Sequence, residues 1–304
     1  MNIILIHLGN KKIPHILYTI YHLLYFKNNN IYLLSNSKIF NFIKKYKIAK
    51  YIKFIDVKSL EKSREHKIFL KKTKLDKKWY GGFWLNTTER FFYIENFCKL
   101  NKMKNIVHIE NDNLIFCNLN KYKSLFESNF NIGLTFLNNN QCIPSIIYFK
   151  NYKYVKVITN HIFDENRFFF KSGKKNDMQL LAEVKNKKKC KKIKLLPTLT
   201  KEMSKKFNNK INREYYEFSE KFNGIFDAAA IGQKIDGLDK YVYKNKGSFI
   251  NKENIFDPEK IKIIYKKYKN LKKPFIYMNK KIIPILNTHI HSKRTDLFFN
   301  KLKI

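Results

Sequence analysis

The chain opens on a nearly continuous apolar run, Ile3–Leu8, broken only by His7. Runs of this kind belong to strands buried on both faces of a parallel sheet. Gly9-Asn10 punctuates the run, Pro14 suits the first turn of a helix, and Ile16, Leu17, Ile20, Leu23 and Leu24 recur at helical spacing. Asn28-Asn29-Asn30 ends that helix, and Ile31–Leu34, closed by Ser35-Asn36, reads as a second strand. Strand, helix, strand at this spacing predicts a βαβ unit, and with it a parallel sheet with crossover helices. A helix over 38–47 and a third strand at Tyr51–Val57 continue the alternation. Lys58–Lys78 is charged and aperiodic and reads as a long loop with one short helix.

Thr87 reads as the N-cap of a helix that runs to Leu100. Ile106–Ile109 is a strand; Ile132–Phe136 and Ser145–Phe149 are two more, the second opened by Pro144. Helices over 151–163 and 176–186 follow, then a strand at Lys192–Leu196 closed by Pro197. Beyond residue 200 the periodicity weakens, and the segment reads as loops carrying short motifs. No internal repeat is visible. The expected fold is α/β: a Rossmann-type mixed sheet with helices on both faces, a core over 1–200, and a C-terminal segment over 201–304 packed on that core within a single domain.

With 44% hydrophobic and 16% aromatic residues in 304, the chain has ample material for a core. This excludes a disulfide-stapled mini-protein and a largely disordered chain. Cys98, Cys117, Cys142 and Cys190 lie far apart with no CxxC pair, which argues against a zinc ribbon or a disulfide framework and fits a reducing compartment. The first apolar run precedes the charges and lacks a small-residue cleavage site, unlike a signal peptide. No stretch approaches the ~20 apolar residues of a transmembrane helix. A cytoplasmic protein is expected.

The net charge of +38 invites a nucleic-acid reading, but it comes from 57 Lys and only 5 Arg, beside 36 Asn and 5 Ala. Readers of nucleic acid favour Arg for bidentate contacts. The excess therefore reads as drift of the whole surface in an A/T-rich coding context, with no specific nucleic-acid partner. Attraction of anionic substrates and peripheral association with anionic surfaces remain open. The Lys-rich run over 185–192 reads as a turn.

Five short constellations can carry chemistry. His108-Ile109-Glu110-Asn111-Asp112-Asn113 sits where a buried strand ends, the edge at which open α/β sheets bind ligands. Glu110 and Asp112, two residues apart, can both point toward one divalent ion, and Mg²⁺ and Mn²⁺ often share carboxylates with substrate phosphates. An Asn/Asp-rich polar turn is the plain alternative. In Leu286-Asn287-Thr288-His289-Ile290-His291-Ser292-Lys293, a neutral imidazole can ligate Mn²⁺ and the Lys can neutralise phosphate.

Three of the five Ala and three of the nine Gly fall between 224 and 237, around Gly224-Ile225-Phe226-Asp227-Ala228-Ala229-Ala230-Ile231-Gly232-Gln233. Small residues concentrated in a composition rich in Lys, Asn and Ile indicate steric need, met either by a ligand against the backbone or by a tightly packed helix. Asp227 is the acid inside the apolar part. Trp79-Tyr80-Gly81-Gly82-Phe83-Trp84 holds both Trp of the chain and leads into Thr87-Thr88-Glu89-Arg90. Aromatic rings stack on bases and sugar faces; a core-anchoring loop is the alternative. Asn176-Asp177-Met178 opens a helix, with Asp177 either an N-cap or an acid contacting an acceptor. The phosphate loops GxGxxG and GxxxxGK[ST] are absent.

The order of these motifs resembles that of the GT-A glycosyltransferases over roughly residues 1–295. The resemblance implies a GT-A-like fold, a nucleotide-sugar donor, a glycan or other hydroxyl acceptor, and Mn²⁺ or Mg²⁺ on the donor diphosphate. It assigns the metal to Glu110 and Asp112, completed by His289 or His291, and Lys293 to the diphosphate. Arg90, Trp84 and Asn111 would contact the donor. Asp227 is the first choice for a carboxylate base that helps the acceptor hydroxyl attack, and Asp177 the second. The family's short acidic motif is DxD and here it is ExD, so one ligand can be direct and the other indirect. Two other classes share features with the chain. A nucleotidyltransferase would need a Gly-rich N-terminal phosphate loop, and His7-Leu8-Gly9-Asn10-Lys11-Lys12-Ile13-Pro14 has one Gly. A non-enzymatic basic protein binding nucleic acid or another polyanion would leave the ExD and the small-residue cluster unexplained.

Overall fold

A computed structural model describes residues 1–168, 175–207, 210–237 and 254–299. The chain alternates strand and helix from its start: β1 (Asn2–Ile6), α1 (His15–Tyr25), β2 (Ile31–Ser35), α2 (Ser37–Ile43), β3 (Ile52–Asp56), α3 (Arg64–Lys72), α4 (Phe83–Leu100) and β4 (Lys104–Ile109). There follow β5 (Asn113–Ile115), α5 (Lys123–Asn129), β6 (Ile132–Asn138), β7 (Gln141–Asn151), α6 (Tyr152–Phe168), α7 (Asp177–Asn186) and β8 (Ile193–Leu195). The last part holds α8 (Lys201–Phe207), α9 (Ser219–Phe222), β9 (Ile225–Phe226), α10 (Ala230–Asp236), β10 (Lys262–Tyr268), β11 (Leu271–Met278) and β12 (Lys281–His289).

Seven strands form one sheet in the order β3-β2-β1-β4-β7-β6-β8. The first four run parallel, and β7 lies antiparallel between β4 and β6, so the sheet is mixed, as expected. Alternation along β1 explains why helices cover both faces. Ile4 and Ile6 join one core with Phe91 and Ile94 of α4, Ile158 of α6 and Leu181 of α7. Ile3 and Leu5 join the other with Ile16 and Ile20 of α1, Ile39 of α2 and Phe126 of α5. A strand buried on both sides must be apolar at nearly every position, which is why its sequence was continuous rather than alternating. Truncating a fully buried residue such as Ile4 to Ala would destabilise by about 2–5 kcal/mol.

Several boundaries differ from the sequence reading. Thr87 is not a cap: α4 begins at Phe83, preceded by Gly82 with φ +77°. A left-handed glycine turns the chain sharply into the helix. The hydroxyls of Thr87 and Thr88 instead donate back to the Trp84 carbonyl, at 3.2 and 2.9 Å. Pro144 lies inside β7 rather than opening it, where the β6–β7 register shifts between Gly133 and Thr135 and no ladder N–H is demanded of it. The helix expected over 38–47 stops at Ile43, and a 3₁₀ turn spans Lys47–Tyr51.

The largest correction concerns the region beyond residue 200. A second sheet, β10-β11-β12-β5, is built there, with β9 parallel along β12. Its outer strand β10 is mostly exposed and carries Lys and Tyr, so the apolar signal of a strand is diluted. Its inner strand decides the site. Asn287, Thr288 and His289 of β12 pair with Ile115, Leu114 and Asn113 of β5, which brings His289 beside the turn that carries Glu110 and Asp112. Among the described residues, no helix is long and apolar enough to cross a membrane.

Candidate functional site

Between β4 and β5 the chain makes a tight turn, closed by Asn113 N–H donating to the Glu110 carbonyl at 3.1 Å. The turn is fastened from several sides. Glu110 N–H donates to Ser145 O of β7 at 3.0 Å, and Ile290 N–H, just past β12, donates to Asp112 O at 2.9 Å. Asn111 points its side chain inward, where Nδ2 donates to Ile6 O at 3.0 Å, and its backbone carbonyl accepts from Thr19 Oγ1 at 2.6 Å. Asn111, expected at the donor, thus anchors the turn to β1 and α1.

One carboxylate oxygen from each of Glu110 and Asp112 and one ring nitrogen of His289 lie within 4.8 Å of one another. His289 Nε2 is 3.5 Å from Glu110 Oε2 and 3.3 Å from Asp112 Oδ2. The other ring nitrogen, Nδ1, is 3.2 Å from Ala228 O. A carbonyl can only accept, so Nδ1 carries a proton and Nε2 is directed at the acids. A far N–H held by a backbone carbonyl is the arrangement that fixes the tautomer of a metal-ligating imidazole. The two carboxylates suit Mn²⁺ or Mg²⁺, and the imidazole nitrogen favours Mn²⁺ over the harder Mg²⁺, so the residues fit the divalent ion expected from the sequence, Mn²⁺ best.

The charges around this trio are closely matched. Arg90 of α4 donates through Nη1 to Glu110 Oε1 at 2.8 Å and through Nη2 to Asp177 Oδ2 at 2.7 Å. Lys293 Nζ pairs with Asp112 Oδ2. Burial works against ionised Asp112, but Lys293 and His289 overcome it and hold its carboxyl well below the usual range. Burial likewise opposes a charged His289, and Asp112 and Glu110 outweigh it, raising the imidazole to about 9. Burial pushes the Asp177 carboxyl up, with Arg90 pulling it down. Three acids thus face three cations.

Asp177 is the first residue of α7, and the cap is its neighbour: Asn176 and Gln179 form a reciprocal capping box. Arg90 is only 7% exposed, so its guanidinium is committed to the two acids it bridges. His291 lies outside the trio, its ring centroid 5.8 Å from that of His289. Burial and the neighbouring cations Lys293 and His289 drive it down to about 3, so it is neutral. Trp84 is on α4, nearly two turns before Arg90 and about 120° round the helix from it. Its ring plane is nearly parallel to that of Trp79, centroids 6.0 Å apart.

Asp227 is buried, and both oxygens are engaged by backbone. Oδ1 accepts from Ile231 N–H at 3.0 Å, and Oδ2 from Gly232 N–H at 2.9 Å and His289 N–H at 3.1 Å. Burial raises its carboxyl to about 6, against the pull of those N–H groups. The need for small residues here has a visible cause. A Cβ on Gly232 would stand 1.9 Å from His289 O, so only glycine lets α10 lie this close to β12.

Two residues that the sequence reading did not single out belong to the same edge. His15 opens α1, and His7 follows β1. Burial, Lys293 and His7 bring His15 down to about 3, while Asp112 pulls the other way. The available signal was position: both stand at the carboxyl end of a parallel strand, where ligands bind.

No protein-family model matches the chain, and no curated protein matches it in sequence. Solved structures resemble it at low identity. Mouse xyloside xylosyltransferase 1, in its apo form, is 8% identical with a TM-score of 0.45, over 71% of this chain and 93% of that one. The PaToxG glycosyltransferase is 13% identical with a TM-score of 0.41, over 61% and 68%. A cytidylyltransferase from Leptospira borgpetersenii is 11% identical with a TM-score of 0.33, over 55% and 67%. At these identities and scores, the functional reading rests on the residues of the site.

Proposed function

We propose that the protein is a metal-dependent glycosyltransferase that moves a sugar from a nucleotide-sugar donor to an acceptor hydroxyl, with a glycan the favoured acceptor. The observation that carries this reading is the trio Glu110, Asp112 and His289 at the carboxyl edge of the sheet, with His289 Nδ1 fixed on Ala228 O. These three would hold Mn²⁺ or Mg²⁺, which when bound supplies positive charge for the departing diphosphate.

The chain's own residues set the geometry. Arg90 orients Glu110 and balances Asp177, a positioning role rather than a donor contact. Lys293, beside Asp112, is placed to neutralise a phosphate oxygen. Asp227 positions His289 by holding its backbone N–H. With Asp227 engaged by three N–H groups and Asp177 by Arg90, neither carboxylate is presented as a general base, and stabilisation of the leaving group is the main source of rate.

The test is incubation with a panel of nucleotide sugars and Mn²⁺ while free nucleoside diphosphate is measured. Release from at least one donor is expected, lost on chelation. Pyrophosphate release from a nucleoside triphosphate and a sugar phosphate would indicate nucleotidyl transfer instead. No turnover, together with sequence-specific DNA binding in the ~10⁻⁸ M range at physiological salt, would overturn both enzyme readings.

A further inference from the structure

The elbow leading into α4 carries aromatic rings that the site does not use. Trp79, Tyr80 and Phe83 are 42%, 43% and 38% exposed. Trp79 and Trp84 are nearly parallel at 5°, and Phe83 stands edge-on to Trp79 at 78°, to Tyr80 at 78° and to Trp84 at 75°. Packed against one another, these rings form an exposed apolar knob at the start of α4.

The backbone is bent to hold this knob outward. Tyr80, Gly81 and Gly82 take successive φ values of 51°, 69° and 77°, and for Tyr80 the left-handed conformation is strained. The Asp76 carboxylate fixes the bend by accepting from Lys78 N–H at 2.7 Å and Trp79 N–H at 2.9 Å. Apart from Asp76, every charged residue between 71 and 83 is a lysine, and Lys71, Lys72, Lys74, Lys77 and Lys78 are all exposed. Lys11, from the loop after β1, reaches over the Tyr80 ring at 5.9 Å.

An exposed cluster of Trp, Tyr and Phe rings flanked by lysines matches the chemistry of a bilayer interface with anionic headgroups. Amphipathic rings settle at the headgroup level, and lysines are drawn to the negative surface. We infer that this elbow docks the protein onto an anionic lipid bilayer, with Trp79, Tyr80 and Phe83 entering the interface and the flanking lysines meeting the headgroups. The elbow lies at the start of α4, and α4 leads back across the sheet to β4, so docking would hold the carboxyl edge of the sheet, where Glu110 and Asp112 stand, near the membrane surface. The inference does not depend on the sugar-transfer reading.

Both tryptophans of the chain are in this elbow, so intrinsic tryptophan fluorescence reports on it alone. The full chain is titrated with phosphatidylserine–phosphatidylcholine vesicles, with and without brominated phosphatidylcholine, at physiological and at raised salt. A blue shift, quenching by the brominated lipid and residual binding at raised salt are expected. The Trp79→Ala/Phe83→Ala variant, melting as the wild type does, should lose about tenfold in vesicle affinity, with Trp84 still reporting. Lys77→Gln/Lys78→Gln should steepen neither the quenching nor the shift but weaken binding at physiological salt. Vesicle binding with no spectral change, abolished by salt and equal in the aromatic variant, would reduce the interaction to bulk lysine attraction and overturn the proposal. So would a spectral shift with a soluble oligosaccharide and none with vesicles.

Discussion

The backbone N–H of His289 donates to Asp227 Oδ2 across 62 residues of chain, at 3.1 Å. The same carboxylate accepts from Ile231 and Gly232, so one buried acid ties the end of β12 to the first turn of α10. The imidazole of His289 is then held by the carbonyl of Ala228, the next residue after that acid. The position of a candidate metal ligand depends on Asp227.

Asp227→Asn leaves one acceptor oxygen where there were two and turns an NH₂ toward N–H donors. We expect a loss of about 1–3 kcal/mol in stability, the penalty for buried donors left unsatisfied. Turnover should fall mainly through weaker metal binding and be largely restored by raised Mn²⁺. A general base would behave differently: the rate would fall by about 10²–10⁴ at every Mn²⁺ concentration. Melting temperature and the Mn²⁺ dependence of turnover separate the two.

The metal-free protein should lose stability in alkali through His289. An imidazole in the unfolded chain titrates near its model value of 6.5, and in the fold this one is raised to about 9. Because the folded value is the higher, the stabilisation is complete below about pH 6.5 and lost as pH rises through about 9. Asp112 runs the other way: its folded value is depressed, so its contribution is present above its ordinary range and lost in acid. His289→Gln should flatten the decline in melting temperature between about pH 7 and 9; an unchanged slope would assign that decline to other groups.

Arg90→Met should be among the most damaging single changes. It leaves Glu110 and Asp177 facing each other without their shared cation, and breaking a buried pair from one side typically costs about 3–5 kcal/mol. Arg90→Lys should recover part of this but not both contacts, since an ammonium lacks the fork that spans two acids. Chemical denaturation of the three proteins gives the comparison.

Lys293 pairs with Asp112, the carboxylate that the proposed divalent ion would also use. Lys293→Met should therefore tighten Mn²⁺ binding in the absence of nucleotide by about tenfold, within the usual range of coupling energies. It should at the same time weaken nucleoside diphosphate binding. Calorimetric titrations with Mn²⁺ alone, then with diphosphate at saturating Mn²⁺, read the two effects separately.

The parts of the fold that could be read from the sequence are those whose burial is extreme. β1, α1 and β2 were legible because a doubly covered strand is apolar throughout and α1 repeats Ile16, Ile20 and Leu23 on one face. Glu110 and Asp112 could be placed because they follow such a strand directly. β10 could not, since its residues are largely solvated and lysine interrupts its pattern. The choice between His289 and His291 was also out of reach. What brings His289 beside the two acids is its pairing with Asn113 at the end of β12, a register between segments far apart in the chain. The small-residue cluster announced a close approach but not its partner, which is the His289 carbonyl above Gly232. The start of α4 was hidden by Gly82, whose left-handed turn substitutes for a side-chain cap.

The central claim is that Glu110, Asp112 and His289 hold a divalent ion that engages a diphosphate. The most direct measurement is a Mn²⁺ titration followed by electron paramagnetic resonance, with a nucleoside diphosphate present, on the wild type and Asp112→Asn at matched folding. One Mn²⁺ per chain is expected in the wild type. Its affinity should fall in the variant by at least the 10–100-fold seen when even an outer partner of a metal site is lost, about two orders of magnitude for a direct ligand. Equal Mn²⁺ affinity in the two proteins, or diphosphate binding indifferent to Mn²⁺, would contradict the account.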